Sequence, residues 1–345
     1  MLLVALAIAL PGRGVAALPG RNGDLVFTTG GPGAALAQLT YWRIHPDGTG
    51  RTRITAAVAR RLTAVSPDGR LLAEAVSDLG LVVQPSGGGR RRVIVRAPDV
   101  RAVSWFPDGR LAFLRGAFGA ADLFTVHADG RRLRRLTRGV ALEGLTVSPT
   151  GREIAAARRG PLTGDVADWD LVAIRARDGR VRVVERSAWA QALDPGGFDW
   201  APDGRALAVA RILASAPGGE PGGQSGGIEV VRRDGSGRRH LSPPGAIDAG
   251  PFFSPDGRFI AFSGFCVAGV PQQLPAAGPT GQGICVMRRD GTQRRAVAQT
   301  VLTPGAGVDD VGFTGVEWGS PWLRAARATA HPPNVPPPPY AVTRG

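Results

Sequence analysis

Gly223, Gln224, Ser225, Gly226 and Gly227 spell Gly-x-Ser-x-Gly, the pattern of a turn that lifts a serine nucleophile above a hydrolase sheet. That chemistry needs a strand before the serine and a helix after it. Here the five residues lie in APGGEPGGQSGGIEV, a Gly/Pro stretch that runs into a strand, so the context argues for a loop. The four histidines are His45, His127, His240 and His331. None stands at a Cys/His spacing that would hold zinc. Asp165, Asp168 and Asp170 in GDVADWDL offer carboxylates for Ca²⁺ but lack the alternating oxygen ligands of a dedicated loop, and a solvated loop fits them better. We therefore assign no catalytic, cofactor-binding or metal-binding residue and expect no cofactor.

The elements that would position such residues come from a repeat. SPDGR, FPDGR, SPTGR, APDGR and SPDGR place glycines at Gly69, Gly109, Gly151, Gly204 and Gly257, spaced by 40, 42, 53 and 53 residues. A period in this range marks a supersecondary unit. Between them lie a second set of turns, ending at Gly48, Gly130, Gly179, Gly235 and Gly291, with PSGGG at 85–89 filling the vacancy. Pro presets φ, Asp bonds its own backbone and Gly accepts positive φ, so both sets read as tight turns. The flanks alternate apolar and polar residues in the manner of strands. Val65, Trp105, Val147, Trp200 and Phe253 precede the first turns, and Ala73, Ala112, Ala155, Ala208 and Ala261 follow them. A small residue repeated at that place suits close packing of sheet on sheet.

Four antiparallel strands per repeat make a β-propeller blade. Five full blades are expected at 57–97, 98–139, 140–187, 188–243 and 244–300. DLVFTTG, LTYWRIH and RTRIT before them lack a first strand, and TGVEWGSPW after them supplies one, with Trp318 in register with Trp105 and Trp200. The fold class is thus all-β: a six-bladed β-propeller of four-stranded antiparallel blades, closed by a composite N-/C-terminal blade. The turns tile one face. The other face should carry long loops at 159–169, 212–227 and 266–283, and loops on a rigid scaffold are where binding residues concentrate.

SPDGRFIAFSG and MRRDGTQRRAV resemble the repeats of the TolB-like six-bladed propellers over residues 22–323. The resemblance implies an extracytoplasmic propeller that docks partners through its loops and central opening. TolB carries an N-terminal α/β domain before its propeller, and about 20 residues precede the first strand here, so the resemblance is to the propeller without that domain.

Cys266 and Cys285 fall at strand ends that meet on the loop face. In an exported protein they are expected to form a structural disulfide; the alternative is two buried free thiols. The nine apolar residues from 2 to 10 are too few to span a bilayer and fit a secretory h-region, although no basic residue precedes them. We expect a signal peptide over 1–20, the propeller over 21–323 and a Pro-rich disordered tail over 324–345. The product would be periplasmic, cell-surface or secreted, without a transmembrane segment.

The net charge of +14 rests on arginine alone, for the sequence has no lysine. Arginine clusters at 90–92, 131–135, 232–239 and 288–295 run from the second turns into the outermost strands, where charge resists sheet-to-sheet aggregation. Aromatics are scarce beside them, which disfavours nucleic acid as a partner. The sequence thus reads as an exported, monomeric, non-enzymatic propeller that binds a protein partner or small ligand through its loop face. The alternative is a propeller hydrolase or lactonase with a site at the central channel, against which the apolar or small character of the inward strand positions counts.

Overall fold

The computed structural model describes residues 22–30, 40–55, 65–76, 78–163, 166–186, 191–213, 225–243, 246, 248–266, 282–299 and 312–318. The expected signal peptide, the Pro-rich tail and His331 lie outside them. Every regular element described is a strand, and the strands fall into six sheets.

Blade 1 joins the two ends of the chain. β1 (Leu25–Gly30), β2 (Thr40–Ile44) and β3 (Thr52–Ile54) are completed by β23 (Gly312–Trp318), which pairs with β1 so that Leu25 faces Trp318 and Val26 faces Glu317. Blade 2 contains β4 (Leu71–Val76), β5 (Gly80–Pro85) and β6 (Arg92–Arg96). Val65 bridges Leu72 where its inner strand would end; the rest of that expected strand lies outside the described residues. Blade 3 holds β7 (Val100–Trp105), β8 (Arg110–Arg115), β9 (Asp122–His127) and β10 (Arg134–Arg135). Blade 4 holds β11 (Leu142–Val147), β12 (Glu153–Thr163), β13 (Val166–Arg175) and β14 (Val181–Glu185). Blade 5 holds β15 (Gln191–Trp200), β16 (Ala206–Leu213), β17 (Ser225–Arg232) and β18 (Arg239–His240). Blade 6 holds β19 (Ala249–Phe253), β20 (Phe259–Phe265), β21 (Gln282–Arg288) and β22 (Arg295–Gln299). The molecule is a six-bladed β-propeller.

The core sits between blades. Phe113 and Val103 pack with Leu81 and Val95 across the seam of blades 2 and 3. Trp200 and Val209 pack with Leu171 and Val184 between blades 4 and 5. Leu25 and Phe27 pack with Ile284 and Val286 between blades 1 and 6. The repeated alanines Ala73, Ala112, Ala155, Ala208 and Ala261 are all buried, as are Val65, Trp105, Val147, Trp200 and Phe253. A larger side chain at the alanine positions would push neighbouring sheets apart.

Two of the loops read from the sequence are shorter in the structure. The Gly/Pro composition of 159–169 suggests a loop, yet β12 and β13 continue through it, with Arg159 opposite Trp169 and Thr163 opposite Val166. Gly160 and Pro161 fall where the register shifts. A bulge is where a strand tolerates a residue with no N–H to donate. Likewise Gly226 and Gly227 pair with Ile212 and Arg211.

Candidate functional site

The two faces of the ring are built differently. On the turn face each carboxylate of a first turn accepts the amide two residues on: Asp108 from Arg110 at 3.1 Å, Asp203 from Arg205 at 2.8 Å and Asp256 from Arg258 at 3.0 Å. In the SPTGR copy Thr150 Oγ1 takes this part for the Arg152 amide. The second turns repeat the device, and the amide bond from Arg131 holds the Asp129 carboxyl below the ordinary aspartate range, as that from Arg180 does for Asp178.

The second turns also lock each blade to the one before it. Gly130, Gly179, Gly235, Gly291 and Gly48 all have positive φ, and a β-carbon on any of them would meet the carbonyl oxygen of Ile94, Leu136, Val184, Leu241 or Val297, respectively, in the preceding blade. An arginine of that preceding blade reaches across to a carbonyl in the same turn. Arg92 donates to Ala128 O at 2.7 Å, Arg134 to Arg177 O at 2.8 Å and Arg182 to Arg233 O at 2.7 Å. Arg239 donates to Arg289 O at 2.8 Å and Arg295 to Pro46 O at 2.7 Å. Position by position, blade 1 puts Thr52 where the others put this arginine, because Thr52 pairs with Arg43 as Arg295 pairs with Val286. Four of these five arginines lie in the clusters that the sequence assigns to resisting sheet-to-sheet aggregation, and Arg182 lies outside them; each of the five is a cross-blade tie. The signal was present in their offset of three or four residues from the turn glycines.

The inner strands also hold polar groups that the sequence reading passed over. The Val147 amide donates to Ser104 Oγ at 3.1 Å, and the Phe253 amide to Asp199 Oδ2 at 2.9 Å. These side chains are buried and stitch one inner strand to the next. The inward positions are therefore not simply apolar or small.

The loop face carries features that occur once. Arg211 is 2% exposed and contacts Glu185 of blade 4 and Glu229 of its own blade. Arg238 contacts the same two carboxylates, and His240 Nδ1 lies 3.5 Å from Glu229. Two guanidinium groups thus balance two carboxylates across the seam of blades 4 and 5. Cys266 and Cys285 are joined by a disulfide, with Cα atoms 5.2 Å apart, at the base of the blade 6 segment that spans 267–281.

At the seam of blades 3 and 4 the short turn after β8 exposes Phe118. Its ring meets that of Trp169 edge-on at 6.0 Å, and Arg101 lies 5.4 Å above it. Leu79, in the corresponding turn of blade 2, is also exposed.

The residues first considered for chemistry do not converge. Ser225 opens β17, so a strand follows it where a nucleophile elbow needs a helix; Gly223 and Gln224 lie outside the described residues. His45 bonds Asp24 at 2.6 Å in blade 1, His127 ends β9 in blade 3 and His240 ends β18 in blade 5. Asp170 is paired with Arg158. Asp168 lies within β13, and Asp165 is outside the described residues. Among the described residues, no three His, Cys, Asp or Glu side chains are grouped so as to hold a metal ion. No helix among them is long and apolar enough to cross a membrane.

Six meandering sheets around an axis, with the ends sharing one sheet, define the class. Within it, the chain has a TolB-like propeller fold. It superposes on TolB from Acinetobacter baumannii with a TM-score of 0.55 at 15% identity, covering 87% of this chain and 68% of that one. An oligogalacturonate lyase in complex with manganese aligns with a TM-score of 0.51 at 15% identity, covering 86% and 78%. The tricorn protease aligns with a TM-score of 0.51 at 15% identity, over 72% of this chain and 25% of that one. At such identities the likeness is one of fold. No family model matches the chain, and no curated protein matches it.

Proposed function

We propose that this protein is an exported, non-enzymatic propeller that binds a protein partner or a small ligand through its loop face. The observation that carries the reading is the placement of exposed apolar side chains. Of the three exposed large apolar side chains among the described residues, Leu79 and Phe118 stand on loop-face turns of neighbouring blades, and Leu133 follows a turn-face turn. Polar groups on the turn face are spent on its own turns and seams, whereas the loop face differs from blade to blade in length and content. The Cys266–Cys285 disulfide supports an oxidising compartment.

The test is a pull-down with the whole chain against a variant in which 214–224 and 267–281 are shortened. The strand ends and both cysteines are kept. Loss of partners from the shortened protein is the expected outcome; equal recovery by both would take the contact away from these two segments, and equal recovery by a variant that also carries Leu79→Ser and Phe118→Ser would remove the loop face as the contact surface. Metal analysis of the purified protein separates the enzymatic alternative, since stoichiometric Ca²⁺, Mn²⁺ or Zn²⁺ would favour a channel-mouth catalytic site.

A further inference from the structure

The short turn of blade 3 lies beside the longest hairpin described. β12 and β13 have 11 and 10 residues, against 6 each for β8 and β9. Both hairpins start from the turn face, because β12 follows Gly151 and β8 follows Gly109. At about 3.3 Å per residue the blade 4 arm rises roughly 15 Å above the turn of blade 3. A step results. Its floor is Phe118, and the foot of its wall is Trp169 and Arg159, which face each other across β12 and β13. Trp169 is buried and holds the Phe118 ring by its edge. A β-carbon added to Gly119 would touch the Arg159 side chain, which places that guanidinium against the same turn.

The charges around the step are mostly neutralised. Glu143 accepts the Gly119 amide at 3.2 Å and lies 3.5 Å from Arg101. Asp170 is taken by Arg158 and Asp99 by Arg115. Arg159 has no acidic partner among the described residues. The step therefore offers one exposed aromatic ring and one cation with no acidic partner among the described residues, on a chain whose net charge is +14.

We propose that this step is a docking site for an extended acidic peptide segment of a protein partner. An aromatic or large aliphatic side chain of that segment packs on Phe118, and a neighbouring carboxylate pairs with Arg159. The chemistry favours peptide over nucleic acid. Single-stranded nucleic acid calls for successive aromatic platforms, and Phe118 is the one exposed aromatic among the described large apolar residues. A planar guanidinium beside an aromatic face is suited to a carboxylate on a short apolar motif. This inference rests on the binding-scaffold reading and gives it a location and a partner chemistry.

Fluorescence anisotropy with the full chain tests it. The probes are three labelled heptapeptides: glutamates around a central phenylalanine, glutamates around alanine, and lysines around phenylalanine. A fluorescent oligothymidine is the fourth. The glutamate–phenylalanine probe should bind at least tenfold more tightly than the other three. Phe118→Ser and Arg159→Glu should each weaken it tenfold or more, and Leu133→Ser, at an exposed apolar residue elsewhere on blade 3, should not. Arg159→Glu should in turn improve binding of the lysine probe. Equal binding of the phenylalanine and alanine probes, preference for the oligothymidine, no binding of the glutamate–phenylalanine probe, or indifference to both substitutions would overturn the proposal. If the peptides fail while partner recovery still depends on 214–224 and 267–281, the peptide site falls and the scaffold reading stands. If recovery is also equal with the shortened variant that carries Leu79→Ser and Phe118→Ser, both fall.

Discussion

The turn face and the loop face of this ring are stabilised by opposite strategies. The turn face repeats one small device: an aspartate or threonine closing its own turn, a glycine pressed against the preceding blade, and an arginine tied to a turn carbonyl. Each instance is worth little, and the ring gains by having many. The loop face uses single, larger devices: a four-charge cluster built around the buried Arg211 between blades 4 and 5, and one disulfide in blade 6. Repetition constrains the turn face to one geometry. The loop face, freed from that duty, can vary from blade to blade and present a surface to something else.

The largest effect should come from breaking a single device. Arg211→Met removes a buried cation and leaves Glu185 and Glu229 with only Arg238 and His240 for company. Breaking a buried pair from one side typically costs about 3–5 kcal/mol. Urea unfolding should show a loss of that order, and a loss below about 1 kcal/mol would mean that the cluster is better hydrated than its burial suggests. Next comes the disulfide. Cys266→Ser with Cys285→Ser should lower stability by roughly 3 kcal/mol, as expected for a closed loop of this size; thermal unfolding with and without reductant checks it.

The repeated device should respond weakly and additively. Arg239→Gln and Arg182→Gln remove exposed charge-assisted ties and should each cost about 1 kcal/mol. Because the two ties lie at different seams, the double variant should lose the sum. The reverse experiment sharpens the point: Thr52→Arg supplies the guanidinium that blade 1 lacks and should raise the melting temperature slightly. Strongly non-additive losses would show that the ties act as one network.

The smallest effect is in acid. Asp129 is held below the ordinary aspartate range chiefly by the Arg131 amide. Its folded pKa lies below its unfolded one, so its contribution is present above the unfolded value, near 3.8, and fades as pH falls through the folded value. Asp129→Asn keeps an accepting oxygen without the titration. The melting temperature of this variant should match the parent at pH 6 and fall slightly less steeply below pH 4.

Much of the fold was legible because its signals are local. A Pro-Asp-Gly turn announces itself within five residues, and the fixed offsets of Trp105, Trp200 and Trp318 sufficed to pair the two chain ends. What was missed depends on distant partners. The Val147 amide finds Ser104 across 43 residues, and the Phe253 amide finds Asp199 across 54; Ser104 and Asp199 share one repeat position, directly before Trp105 and Trp200, but nothing local tells that their partner is on the next blade. The long hairpin of blade 4 was hidden for a different reason. Gly160 and Pro161 look like a loop, and only the register shift between Arg159 and Leu162 shows how the strands absorb them. The Phe118 step was invisible because it joins a turn of one blade to a strand of the next. Its aromatic pair is 51 residues apart in sequence, with no shared motif.

All of this depends on the two chain ends sharing blade 1. The most direct test is cross-linking through Thr28→Cys with Gly315→Cys, which face each other in the pairing of β1 and β23. Paired antiparallel positions lie within disulfide reach. In the Cys266→Ser, Cys285→Ser background, mild oxidation should give a monomeric, internally bridged chain of faster non-reducing mobility and higher melting temperature. A chain that stays reduced, or that forms only intermolecular dimers, would contradict the closed ring.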